Sequence, residues 1–252
     1  MKYKKILFIA LWCLLIAGVG VLLFAINQHK RNETCERIDI EIENSESNHF
    51  IDSAMVIQQI DANQIIGNKI ANIDAGQIET LLESNPHIKN AEFYKEVDGT
   101  LHIKIWQRAA MMRVINLDEE SYYVDEENNK MPLSKNYTAR VLVCNGNLSE
   151  KCTKCDTINS NTLKTCACIA QYVHKSSFWN STIEQIFVTS DSAIILVTKL
   201  GDLKIIFGDA TELEAKFNRL FAFYKQALSK TGWDKYMSID VSYKNQLVAK
   251  KR

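Results

Sequence analysis

The chain has 252 residues, and its 30 basic and 30 acidic side chains leave no formal net charge at neutral pH. That balance supplies no global positive field to recruit nucleic acid or an anionic surface. Nine glycines, two prolines and 46% hydrophobic residues describe folded material without a long low-complexity linker.

The first element is an uninterrupted apolar run at residues 6–26. It carries no charge, and at about 1.5 Å per helical residue it reaches ~31 Å, enough to cross a hydrocarbon core. A cleaved secretory signal is the competing reading, because Lys2, Lys4 and Lys5 make a basic start. Signals of that kind have a shorter apolar stretch and then a small-x-small cleavage site. Here the run is long and ends Phe24, Ala25, Ile26, Asn27, Gln28, so a single-pass transmembrane helix is expected at 6–26. Residues 1–5 are then a cytoplasmic tail and 27–36 a juxtamembrane linker. Lys2, Lys4 and Lys5 outnumber Lys30 and Arg31 across the span, which orients the N-terminus inside and the bulk of the chain outside.

The pattern changes partway along the remainder, so two domains are expected, 37–108 and 109–252, in an α+β fold. Residues 35–42 alternate Ile38, Ile40 and Ile42 with Asp39 and Glu41, the period of a half-buried strand. Asp52 is placed to cap a helix carrying Met55, Val56 and Ile60, and Asp74 a second helix carrying Ile78, Leu81 and Leu82. Gly67 separates them. The second helix stops at Asn85-Pro86, since the residue before proline is pushed out of the α region. Residues 88–96 and 100–107 flank Asp98-Gly99, a hairpin signal, and Leu101, Ile103 and Ile105 alternate with His102, Lys104 and Trp106.

Strand, helix, helix, strand, strand is an order that resembles a POTRA domain. Leu81-Leu82, Asn85-Pro86-His87-Ile88, Ala91, Gly99-Thr100-Leu101-His102-Ile103 and Gln107-Arg108 resemble the matching region of the FtsQ/DivIB bacterial cell-division family, of a Bacteroidetes-like type. That family follows its arginine with proline, where this chain has Ala110.

Beyond Arg108 the pattern is mainly strand. Strands are expected at 112–117, at Tyr122-Tyr123-Val124-Asp125, at Met131-Pro132-Leu133, at 140–144 before Asn145-Gly146, and at 183–189, 193–198 and 202–207. A helix is expected at about 161–175. After Gly208, Leu213, Phe217, Leu220, Phe221, Tyr224 and Leu228 form one apolar helical stripe, which reads as core packing. This half resembles the family's mainly antiparallel β domain with packed helices. Tyr122-Tyr123-Val124-Asp125 matches its "yyvD" segment, with Asn128-Asn129 in place of the usual turn glycine, which asparagine tolerates. The segment from Gly201 to Gly208, followed by Lys216 and Leu220, matches a second signature.

The last segment reads as a strand at Met237-Ser238-Ile239-Asp240-Val241-Ser242-Tyr243, a turn at Lys244-Asn245 and a short strand at Gln246-Leu247-Val248-Ala249. It resembles the family's ending, with Ser242 in place of arginine and Gln246 in place of glycine. The resemblance implies that a partner's extended segment adds as a strand here, so Tyr243, Lys244, Asn245, Gln246, Leu247 and Val248 are the candidate binding residues. An edge strand presents unpaired N–H and C=O groups, and lysines such as Lys244, Lys250 and Lys251 are also a device for protecting an edge. The implied partners are division proteins of the FtsB/DivIC and FtsL type, and the implied place is the inner membrane at the septum, with the C-terminal domains in the periplasm.

Of seven cysteines, four cluster as Cys152, Cys155, Cys166 and Cys168. Disulfides suit an exported region, four thiolates can hold Zn²⁺, and free thiols or thiol exchange remain open. A membrane-anchored redox or metal-binding protein is therefore the alternative function. His29, His49, His87, His102 and His174 are scattered, and no Gly-x-Ser-x-Gly, His-Glu-x-x-His or phosphate loop occurs. Glu119-Glu120 and Glu126-Glu127 read as solvated turns. No enzyme, cofactor, nucleic acid or small-molecule substrate is expected.

Overall fold

The structure, a computed structural model, describes residues 12, 14–22, 34–44, 48–96, 99–153, 156–199, 203–228, 230, 232 and 235–252. Residues 14–22 are helical and lie within the apolar run, the rest of which, apart from Trp12, falls outside the described residues. Among the described residues no helix is long and apolar enough to cross a membrane. The chain divides into two compact units, Met1–Gln107 and Arg108–Arg252.

In the first unit β1 (Arg37–Glu43) precedes α1 (Ser53–Gln59), α2 (Ala62–Ile65), α3 (Ala75–Glu83), β2 (Ile88–Lys95) and β3 (Thr100–Gln107). The helices start where expected. Asp52 accepts a hydrogen bond from the Met55 N–H at 2.8 Å and Asp74 one from the Gln77 N–H at 3.3 Å, so each carboxylate satisfies an orphan helix donor. The short α2 was not legible, because Asp61 at φ 49° and Gly67 at φ 85° carve it from a stretch without clear periodicity. β3 is the central strand, antiparallel to β2 and parallel to β1. Its Leu101, Ile103 and Ile105 are buried, and so are Val56, Leu82 and Phe93 from neighbouring elements. Residues 34–36, read as the end of a linker, instead belong to this unit. Cys35 is buried, its N–H donates to the Asn68 carbonyl, and the Glu36 N–H donates to the Gly99 carbonyl.

The second unit is a nine-stranded sheet with helices. Its strands are β4 (Ala110–Ile115), β5 (Ser121–Asp125), β6 (Lys130–Pro132), β7 (Leu142–Gly146), β8 (Ile183–Val188), β9 (Ile194–Thr198), β10 (Lys204–Gly208), β11 (Tyr236–Asp240) and β12 (Val248–Lys251). Their order is β12-β11-β10-β9-β8-β7-β4-β5-β6. The sheet is less uniformly antiparallel than expected, because β4 with β7, β7 with β8 and β10 with β11 are parallel. Parallel neighbours need crossovers, and helices supply two of them. α4 (Asn161–Lys175) and α5 (Ser177–Thr182) join β7 to β8, and α6 (Leu213–Phe223), continued by a π-helical turn at Tyr224–Leu228, joins β10 to β11.

The expected stripe on α6 is the seam between helices and sheet. Phe217 is fully buried, stacks on Tyr172 of α4 at 4.4 Å, and lies 5.1 Å from Trp179 of α5 and 5.0 Å from Phe207 of β10. Burying a phenylalanine of this kind contributes about 1.5–3 kcal/mol, and aromatic pairing adds to it. Asp125 explains the "yyvD" segment, because its carboxylate accepts from Glu127 N–H, Asn129 N–H, the Asn129 amide and Arg108. Asn128 there has φ 67°, the left-handed conformation that asparagine was expected to accept in place of glycine.

Lys216, the lysine of the second signature, is buried and donates from Nζ to the Asp209 carboxylate at 2.7 Å and to the Asp209 carbonyl at 2.9 Å. The Lys216 bond, aided by Thr211, holds the Asp209 carboxyl down at about 2. A carboxyl depressed on folding stabilises above its unfolded pKa of about 3.9, and that contribution is lost as pH falls through about 2. The carboxylate is 64% exposed, so solvent screening reduces the gain to about 1 kcal/mol. Asp209→Asn is expected to lower stability by that amount in urea titrations at pH 7. The gap to the wild type should close between pH ~4 and ~2.

Candidate partner-binding edge

β12 closes one end of the sheet order, and among the described residues no strand lies on its outer side. It pairs antiparallel with β11 through Asp240 opposite Val248, Ile239 opposite Ala249 and Ser238 opposite Lys250. The register slips between Tyr236 and Ser238, and Met237 is 43% exposed at that bulge.

The strand boundaries differ from those expected. β11 stops at Asp240 rather than Tyr243, because the Asp240 carboxylate accepts from the Ser242 N–H at 2.9 Å and the Ser242 hydroxyl at 2.6 Å, a local turn that competes with pairing. Asn245 sits at φ 59° in the turn that follows. The last strand therefore starts at Val248 and runs to Lys251, beyond the expected end at Ala249. Ser242 is what makes this turn. Its Cβ lies 3.1 Å from the position a side chain on Gly208 would take, so the glycine lets the loop pass close.

Of the six candidate residues, five precede β12 and Val248 opens it. Tyr243 and Val248 are 53% and 49% exposed, Lys244 lies 3.6 Å from Glu212, and Leu247 packs partly against the core. Residues 249–251, outside the expected set, supply most of the edge backbone. Arg219 was missed as well. It sits one turn after Lys216 on α6, and its guanidinium donates to the Val241 and Tyr243 carbonyls at 3.1 and 3.3 Å, anchoring the loop that delivers β12. The three-residue spacing from Lys216 on one helix face was the available signal.

The cysteine cluster does not assemble as a four-ligand site. Cys166 is buried in the core, whereas Cys168 is exposed on the same helix. Residues two apart on an α-helix face about 200° away from each other, so these two cannot face one ion. Cys155 lies outside the described residues. Among the described residues no group of three or more His, Cys, Asp or Glu is placed to hold a metal. His174 is 3.4 Å from Glu126 at the surface, His87 stacks on Phe50, and His102 stacks on Tyr94 in the other unit.

Compared with known families, residues 110–250, more than half of the chain, match "FtsQ/DivIB, C-terminal related", and residues 33–106 match "POTRA-like domain". The chain belongs to the FtsQ/DivIB family. Members of that family are non-enzymatic scaffolds of cell division, and a cell-division scaffold role comes to this member with its two domains. A search of curated proteins finds no match.

Proposed function

We propose that this FtsQ/DivIB-family chain is a non-enzymatic, single-pass scaffold of the bacterial division machinery that captures a partner by strand addition at β12. Residues 6–26 are its transmembrane helix, with the N-terminus in the cytoplasm and both folded units in the periplasm at the septum. Its partners are of the FtsB/DivIC and FtsL type, as the family resemblance implies.

The observation that carries the binding role is the position of β12. A terminal strand leaves a row of N–H and C=O groups available, and a partner strand pairing there gains backbone hydrogen bonds without requiring a pocket. Tyr243, Lys244, Asn245, Gln246 and Leu247 form the approach to that row, and Val248, Ala249, Lys250 and Lys251 form the row itself. Lys244, Lys250, Lys251 and Arg252 make the edge basic, which favours a partner segment bearing acidic side chains.

Successive strand residues send their N–H groups to opposite sides, so of Val248→Pro and Ala249→Pro one removes an outward donor and the other a donor to β11. Intact variants are purified in detergent from membranes, and co-purifying division proteins are quantified. The outward variant should keep native circular dichroism and lose partner capture about tenfold or more. If both prolines capture partners as well as the wild type, strand addition at this edge is wrong.

A further inference from the structure

The three-stranded sheet of the first unit has two edges, and the chain treats them differently. At β2 the Ala91 N–H donates to the Glu83 carboxylate at 3.2 Å and the Phe93 N–H to Glu79 at 2.9 Å, so α3 occupies two donors of that edge. β1 is the opposite edge, and among the described residues no strand lies on its outer side. It is seven residues long and pairs with β3 in unbroken register, without proline, lysine or bulge. Those are the devices by which an edge strand is usually blunted.

Both faces of β1 are left incomplete. Ile38, Ile40 and Ile42 stand opposite Leu101, Ile103 and Ile105; the β3 residues are fully buried, whereas the three isoleucines are only partly so. The apolar layer therefore runs out to the edge and ends uncovered. On the other face Arg37, Asp39, Glu41 and Glu43 form a row. Glu43 and Glu41 share one ammonium, that of Lys104, at 2.7 and 3.5 Å, and Asp39 meets His102 at 3.5 Å. Glu92, opposite Lys104, and Glu96, 3.1 Å from His102, add to the carboxylates of that face, so acid outweighs Arg37 and Lys104.

We propose that β1 is a second strand-addition edge, and that it takes an extended protein segment in which basic residues alternate with apolar ones. The basic side chains lie beside Asp39, Glu41 and Glu43, the apolar ones extend the layer of Ile38, Ile40 and Ile42, and the backbone pairs with the outward N–H and C=O groups. A second copy of the chain fits poorly, because antiparallel pairing about Ile40 sets Asp39 opposite Glu41 twice. The charge row thus guards against self-association while leaving the edge open to a basic strand. This edge belongs to the first unit, and the inference does not rest on the role of β12.

The full-length chain in a zwitterionic detergent is mixed with a labelled peptide alternating lysine and valine. Binding is read by fluorescence anisotropy and by amide hydrogen exchange across Arg37–Glu43. Saturable binding and exchange slowed about tenfold or more in that segment are expected. A peptide alternating glutamate and valine should bind about tenfold more weakly, and so should the lysine peptide to the triple variant Asp39→Asn, Glu41→Gln, Glu43→Gln. Two further peptides keep the charges but carry backbone N-methyl groups, one at every lysine and the other at every valine. Successive amides point to opposite sides of a strand, so one of the two should lose binding and the other keep it. Equal binding by both, or protection at β2 or Val248–Lys251 instead of β1, overturns the proposal. Protection of β1 that rises with the concentration of the chain alone overturns it as well, by making a second copy the occupant. The β12 edge is read separately, through partner capture by the proline variants, so either reading can fail alone.

Discussion

Gly146→Ala is expected to prevent the second unit from folding, with a loss above about 4 kcal/mol, the range reserved for changes the surroundings cannot absorb. Gly146 ends β7 at φ 101°, where an L side chain is strained before any contact is considered. A Cβ built there lies 2.1 Å from the Val188 carbonyl oxygen and 2.8 Å from the Val188 nitrogen. Both are backbone atoms of β8, so no rotamer change relieves the clash. They cannot retreat either, because Gly146 pairs with Val188 in the parallel ladder and the Asn147 N–H donates to the same Val188 carbonyl at 2.9 Å. Moving β8 away would also separate β7 from the crossover helices. The check is circular dichroism and limited proteolysis: a soluble variant with the wild-type melting profile would disprove the argument, and Gly67→Ala, with φ 85° and open space around it, isolates the conformational cost from the clash.

Lys130→Met should cost about 3–5 kcal/mol, the range for breaking a buried ion pair from one side. The Lys130 side chain is 4% exposed, and its ammonium lies 2.8 Å from Asp156 and 3.2 Å from Glu150, and donates to the Lys151 carbonyl. Burial alone would lower its pKa, but the hydrogen bonds to Asp156 and Glu150 outweigh that and the net shift is upward. Glu150 is pulled down against its own burial by the N–H groups of Ser160 and Asn159 as well as by Lys130. Methionine keeps the stem and its packing but strands the Glu150 carboxylate, which is only 12% exposed. A double variant, Lys130→Met with Glu150→Gln, should recover part of the loss in chemical denaturation, because it removes the abandoned charge. No recovery would mean that the cost lies in packing rather than in the charge.

Much of the local architecture was legible. Asp52 and Asp74 name their helices because a carboxylate three residues before a free N–H is a cap wherever the chain goes. α4 begins at Asn161 and ends at Lys175, as its periodicity requires. The edge was harder to read. The hydrophobic pattern continues through Val241, which is buried and donates its N–H to the Ile206 carbonyl, so residues 237–243 look like one strand. The turn at Asp240 and Ser242 depends on which hydrogen bonds are available once β10 is in place, and so the last strand was placed too early.

What the sequence determined by itself was therefore everything carried by near neighbours: the apolar run at 6–26, the caps, the alternation of β3, the stripe on α6, and motifs specific enough to indicate the FtsQ/DivIB family. The tertiary structure decided which elements meet. It made β1 parallel to β3, joined β7 to β8 and β10 to β11 in parallel, put β12 at the end of the sheet and separated Cys166 from Cys168. Caps and periodicity act over a few residues, with energies set by the local backbone. Strand order depends on contacts between residues far apart in sequence, through edges still open and faces the crossover helices must cover, and no local pattern encodes that choice.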